Sequence, residues 1–126
     1  MPRNNVITDP TVRERWLMEG DHGDRCQLCG VPRNRSGWRG LVIHHIIHGC
    51  NARSDEPCNF LLVCGDCHDR IHDGQIRDGK TGELVPPITL VDVLAAKSKT
   101  SEWNPRRLEQ LYHRRLPEVP GVAIAV

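Results

Sequence analysis

Two cysteine pairs, Cys26-x-x-Cys29 and Cys64-x-x-Cys67, constrain this sequence more than anything else in it. A two-residue gap lets both thiolates of a knuckle turn toward one ion. Two such knuckles supply the four soft ligands of a closed tetrahedral zinc site. The 34 residues between the pairs are more than a compact finger encloses, so the staple must surround a structural insert. A disulfide framework is the competing reading. The opening stretch MPRNNVITDP lacks the apolar segment of a secretory signal, so a reducing cytoplasmic setting is expected. A redox Cys-x-x-Cys would explain one pair and leave the other idle. Structural zinc is therefore expected, worth on the order of 10 kcal/mol to folding. Cys50 and Cys58 are left over, either as plain buried thiols or as the thiols of a second site.

The chain needs such a staple. Its 126 residues make one domain by size, and they include only five aromatics against nine prolines and eleven glycines. A membrane span is excluded, because the longest apolar runs, 60–63 and 122–126, hold four or five residues where about 20 are needed. The net charge of +1 says little about partners, but its distribution says more. Five arginines (25, 33, 35, 39 and 53) fall between positions 25 and 53 with no carboxylate among them. Six basic residues lie between 97 and 115, against Glu102 and Glu109. Fourteen of the seventeen cationic side chains are arginine, whose planar fork matches phosphate oxygens. An ordinary solvated surface would look the same on charge alone.

The local signals give a coarse order of elements. Residues 1–8 read as a leader. Asp9-Pro10 has the N-cap and N1-proline pattern and opens a packing helix over about 10–19, with Val12 and Trp16 on one face. Residues 31–40 read as a polar loop, Leu41 to Ile43 as a strand, and 48–58 as a loop. Phe60 to Val63 is a second apolar run entering the second knuckle, and a helix follows from Asp66 to about His72. Turn residues at 78–79 and 81–82 predict a small hairpin within 75–87. The tail, about 88–126, is expected to be rich in helix, with one segment at 90–96. Another opens at Asn104-Pro105, with Leu108, Leu111 and Tyr112 on one stripe.

The placement of the histidines matters more than their number. His44 and His45 are adjacent at the end of an apolar run, so as strand residues they point to opposite faces. His68 and His72 are four apart on the predicted helix and share a face. One of the adjacent pair can then join the helix histidines on a metal while the other faces a different task. Asn59 lies between the two groups. His22 and His113 read as surface residues, and His48 sits close enough to the motif to touch a substrate.

The run from Val42 to Ile46, then Asn59 to His72, resembles the HNH nucleases of the ββα-metal, or His-Me finger, group. The upstream Cys26-x-x-Cys29 is similar to the zinc-stapled branch of that family, and the likeness covers about 24–74. It implies an α+β fold: a small zinc-stapled ββα-metal core with flanking helices, forming one nuclease domain over 1–126. It implies that His45 is the general base taking a proton from the attacking water. Asn59 would hold the His45 segment by hydrogen bonds across the hairpin. His44 and His68, completed by His72, would bind one catalytic divalent cation, while Cys26, Cys29, Cys64 and Cys67 hold a separate structural zinc. Many members carry Asp where this chain has His44. An imidazole there lowers the negative charge of the site, disfavouring Mg²⁺ relative to Mn²⁺, Ni²⁺ or Zn²⁺.

That chemistry suits a phosphodiester. Its charge repels nucleophiles and its alkoxide leaves poorly, and a divalent ion relieves both difficulties. An imidazole, with an ordinary pKa of about 6.5, accepts a proton near neutrality. The resemblance further implies DNA as the partner, held through phosphate contacts along the arginine-rich segment, and products with a 5′-phosphate and a 3′-hydroxyl. It also points to a free-standing, phage-type enzyme working as a monomer in the host cytoplasm, as an endonuclease or nickase. The alternative is a non-catalytic zinc-stabilised nucleic-acid-binding module, or an assembly adaptor docking a protein through 88–126.

Overall fold

The computed structural model describes residues 6–48, 53–78 and 80–122. Cys50 lies outside them. The centre is an antiparallel pair, β1 (Leu41–His45) against β2 (Phe60–Cys64), in the register Leu41 to Cys64 through His45 to Phe60. Every residue of β2 is buried. A continuous apolar run is what a strand covered on both faces requires. The second edge of β2 is covered too. The first knuckle lies beside it, with the Gln27 amide donating to the Leu62 carbonyl (2.7 Å) and the Leu62 amide donating to Gln27 Oε1 (2.8 Å). Cys64 leads without a break into α2 (Gly65–His72). Knuckle, hairpin and helix together form a small α+β unit.

A side chain at Gly65 would displace Arg39. A Cβ there would come within 2.5 Å of the Arg39 guanidinium, which lies across the start of α2 and grips Asp69 through two hydrogen bonds of 3.0 and 2.9 Å. The 31–40 loop is thereby fastened to α2.

The flanking helices form where the turn chemistry places them. Helix α1 (Pro10–Glu19) is capped by Asp9, and Trp16 is its one buried residue. Beyond α2, a hairpin with strands of two residues pairs β3 (Ile76–Arg77) with β4 (Leu84–Val85). Helix α3 (Leu90–Lys97) opens on a reciprocal capping box between Thr89 and Asp92. Helix α4 (Pro105–Tyr112) is capped by Asn104. Leu94, Leu108, Leu111, Leu116 and Val119 join Trp16 and Phe60 in one core, so the apolar stripe of the tail is buried within the chain. Among the described residues no helix is long and apolar enough to cross a membrane.

A buried lysine ties α1 to the tail. Lys97 is fully buried, with its Nζ 2.7 Å from Glu102 Oε1. Burial pushes its pKa down, against the pull of Glu102. Glu102 also accepts the Trp16 indole N–H, at 3.0 and 2.9 Å, and the Asp21 amide. His22 is half-buried rather than a plain surface residue, because its Nε2 bonds the Trp16 carbonyl and its ring packs on the indole. Removing one partner of a buried pair strands the other charge. Glu102→Ala should therefore lower the unfolding free energy by about 3–5 kcal/mol, read as a shifted chemical-denaturation midpoint of the zinc-loaded protein.

Candidate metal centre and histidine cleft

The four knuckle sulfurs, from Cys26, Cys29, Cys64 and Cys67, all lie within 4.8 Å of one another. Cys29 Sγ and Cys64 Sγ are 3.7 Å apart. Tetrahedral ligation at the usual zinc–sulfur bond length sets neighbouring sulfurs about 3.8 Å apart, a spacing that the Cys29–Cys64 pair meets. Backbone geometry prepares the first knuckle. The Gly30 amide donates to the Cys26 carbonyl (2.8 Å), and Gly30 takes the left-handed conformation (φ +84°) that closes the turn. Crowding splits the thiols. A hydrogen bond with Cys67 holds Cys26 low and pushes Cys67 up, and burial lifts Cys29 to about 11. Four thiolates at this spacing need a cation among them.

A second donor group forms where β1 meets α2. Nitrogens of His44, His68 and His72 lie within 4.8 Å of one another, and His68 Nε2 and His72 Nε2 are 3.1 Å apart. Nitrogens sharing one ion at ordinary bond lengths are about 3.0–3.4 Å apart, which this pair satisfies. His44 is buried, and burial followed by the neighbouring imidazoles pushes it down to about 3. It is therefore neutral, the form that ligates. His48 is exposed and adds a fourth imidazole, 5.7 Å from His44 and 5.3 Å from His72 between ring centroids.

His45 does not join that group. Its ring meets Phe60 edge-on, and its Nε2 lies 2.9 Å from Asp55 Oδ1. It lines a cleft of about 870 Å³ between α1 and β1, together with Arg13, Arg53 and Asp55. Asn59 is fully buried with its amide saturated. Its Oδ1 accepts the Ile47 amide (2.8 Å), and its Nδ2 donates to the carbonyls of Ile47 (3.2 Å) and Ser54 (3.1 Å). The loop leaving His45 is thus pinned to the start of β2.

Residues 26–74 match the family model of the HNH endonucleases. This segment is similar to an HNH domain. The match covers less than half of the chain. No curated protein and no solved structure matches it. The matched segment contains both donor groups, and α1 and the tail lie outside it.

Two neighbours of the site were not foreseen. Asp55 belongs to a loop without periodicity, and Arg13 to a helix whose packing face alone was evident. A faint signal existed, since no carboxylate occurs from Arg25 until Asp55 and Glu56. The arginines are also less free than their clustering implied. Arg33 pairs with Asp24, Arg39 with Asp69, Arg107 with Glu56, and Arg114 stacks on Tyr112. Arg53 is exposed at the cleft. Cys58 is half-buried, and burial lifts its thiol to about 11, so it is inert at neutral pH.

The two donor groups can be separated experimentally. Cys64→Ser should abolish the cooperative melting transition and reduce bound zinc, because the stapling ion loses a ligand. An unchanged melting curve with full zinc content would contradict the assignment. His68→Ala should keep its zinc and its melting curve while Mn²⁺ or Ni²⁺ affinity at the histidines falls at least tenfold by calorimetric titration.

Proposed function

We propose that this chain is a metal-dependent endonuclease that hydrolyses DNA phosphodiester bonds and, as a monomer, nicks one strand. The observation that carries the reading is the division of labour at the end of β1. His44 turns into a three-imidazole group with His68 and His72, while His45 turns into a cleft bordered by Arg13 and Arg53.

His44, His68 and His72 would hold the catalytic divalent cation, which when bound would neutralise charge on the scissile phosphate and on the departing 3′-oxygen. His45 accepts the proton of the attacking water, and imidazole is the side chain whose ordinary range straddles neutrality. Asn59 keeps the His45 segment at its height on the hairpin through its three hydrogen bonds. Arg53 offers a phosphate contact at the mouth of the cleft. Such contacts give affinity and salt dependence with little sequence preference. Cys26, Cys29, Cys64 and Cys67 would hold the structural zinc, which would keep the hairpin and α2 in register. Thiols stay available to zinc in a reducing compartment, and the cytoplasm is the setting we infer.

The test is relaxation of supercoiled plasmid with EDTA, Mg²⁺, Mn²⁺ or Ni²⁺. Wild type should yield nicked circles with a divalent cation and none with EDTA. Mn²⁺ or Ni²⁺ should outperform Mg²⁺, as neutral imidazole donors favour borderline ions. His45→Ala should lose at least about a hundredfold in rate with unchanged zinc content. A rigorously purified His45→Ala protein that nicks at the wild-type rate would remove the base assignment. Plasmid binding without nicking under any cation would make the chain a binding module.

A further inference from the structure

Asp55 is the most heavily restrained side chain near the cleft, and it lies on the side away from the histidine group. It is 3% exposed. Its Oδ1 faces His45 Nε2 at 2.9 Å. Its Oδ2 accepts from Arg13 Nη1 at 2.6 Å and from the Asp9 amide at 2.8 Å. Its own amide donates to the Ile7 carbonyl at 2.6 Å, and the Ile7 amide donates to the Ser54 hydroxyl at 3.0 Å. Burial raises the Asp55 pKa, but the bonds from His45, Asp9 and Arg13 outweigh it and hold the carboxyl below its usual range. An ionised carboxylate only accepts hydrogen bonds, so the shared proton sits on His45 Nε2. That leaves Nδ1 as the basic nitrogen. Nδ1 has no partner among the described residues, and no buried side-chain nitrogen or oxygen among them lacks one. It is therefore open to water from the cleft.

We propose that Asp55 is a positioning residue that fixes the His45 tautomer and ring orientation, and that the N-terminal segment with Arg13 of α1 is the clamp that aims it. This deepens the reading of His45 as the base and rests on it. The ring bears Nε2–H toward the protein and presents a lone pair at Nδ1 to the water, while the carboxylate stabilises the imidazolium that forms. The proton moves from water to Nδ1 and stays on His45, and Asp55 itself is never protonated. The catalytic unit then extends beyond residues 26–74. Arg13 and Asp9 complete it from a helix and cap that the HNH match does not include.

The experiment compares wild type, Asp55→Asn and Arg13→Ala as full-length, zinc-loaded proteins. The measurements are plasmid-nicking kinetics, Mn²⁺ titration and long-range ¹⁵N NMR of the His45 ring. Wild type should show the Nε2–H tautomer. Asp55→Asn should mix or invert the tautomers and lower kcat on the order of a thousandfold. KM and Mn²⁺ affinity should stay within about twofold, since the histidine group does not touch Asp55. Arg13→Ala, whose side chain is 37% exposed, should lose roughly tenfold in kcat. It decides the matter if Asp55→Asn does not fold. Wild-type kcat in either folded variant overturns the proposal, as does a kcat loss with the Nε2–H tautomer intact. The base reading fails separately, by full activity in His45→Ala, and the NMR arm then still reports whether Asp55 sets the tautomer.

Discussion

Four sulfurs within 4.8 Å of one another are poor neighbours without a cation, and the placement of both histidine groups hangs from that cluster. Cys26 and Cys29 hold the knuckle whose Gln27 covers the outer edge of β2. Cys64 ends β2, and Cys67 lies in the first turn of α2. A metal-bound tetrathiolate would thus fix the angle at which α2 leaves the hairpin. That angle decides whether His68 and His72 reach His44. A core with so few aromatic residues has little else to impose it, and an ion worth on the order of 10 kcal/mol is comparable to the whole stability of a small domain.

The segments outside the HNH match act on one loop. The 53–59 segment carries Asp55 and Asn59, and it is gripped from two sides. From the N-terminal side come the Ile7 and Asp9 backbones and the Arg13 guanidinium. From the tail comes Arg107, which forks onto Glu56 with bonds of 2.7 and 2.6 Å. Glu56 is half-buried and also receives the Ser54 hydroxyl. Burial alone would raise its pKa, but the bonds from Arg107 and Ser54 hold it low. Loops that connect strands are ordinarily the mobile part of a hairpin. Here α1 and α4 restrain that loop, and so hold the floor of the cleft beneath His45.

The parts of this architecture legible in the sequence are those set by local spacing. Cysteine gaps gave the staple, the adjacent histidines gave two faces of a strand, and the i,i+4 pair gave one face of a helix. Asp9, Thr89 and Asn104 carry capping chemistry that marks helix starts. Asp55, Arg13 and Lys97 escaped for a shared reason. Their roles arise from contacts between residues far apart in the chain, such as Arg13 to Asp55 and Lys97 over the Trp16 ring. A loop aspartate and a lysine in the last turn of a helix have the spacing of ordinary solvated residues. Only the fold reveals that Asp55 and Lys97 are buried and hence obliged to find partners.

The donor set also bears on which ion the proposed chemistry would use. His44, His68 and His72 contribute no charge, so a divalent ion there would keep its full +2 toward a phosphate. A carboxylate ligand would cancel half of it. Mg²⁺ gains little from this, because it is hard, prefers oxygen ligands and dehydrates reluctantly. Borderline ions bind imidazole well and lose less to water, so the arrangement trades affinity for hard cations against a stronger pull on the substrate. His48 fits the same logic. Its ring stands beside His44 and His72 at the open side of the group, where partial desolvation, then His72, pushes its pKa down. An imidazole there would keep the approach to a bound ion free of a competing carboxylate.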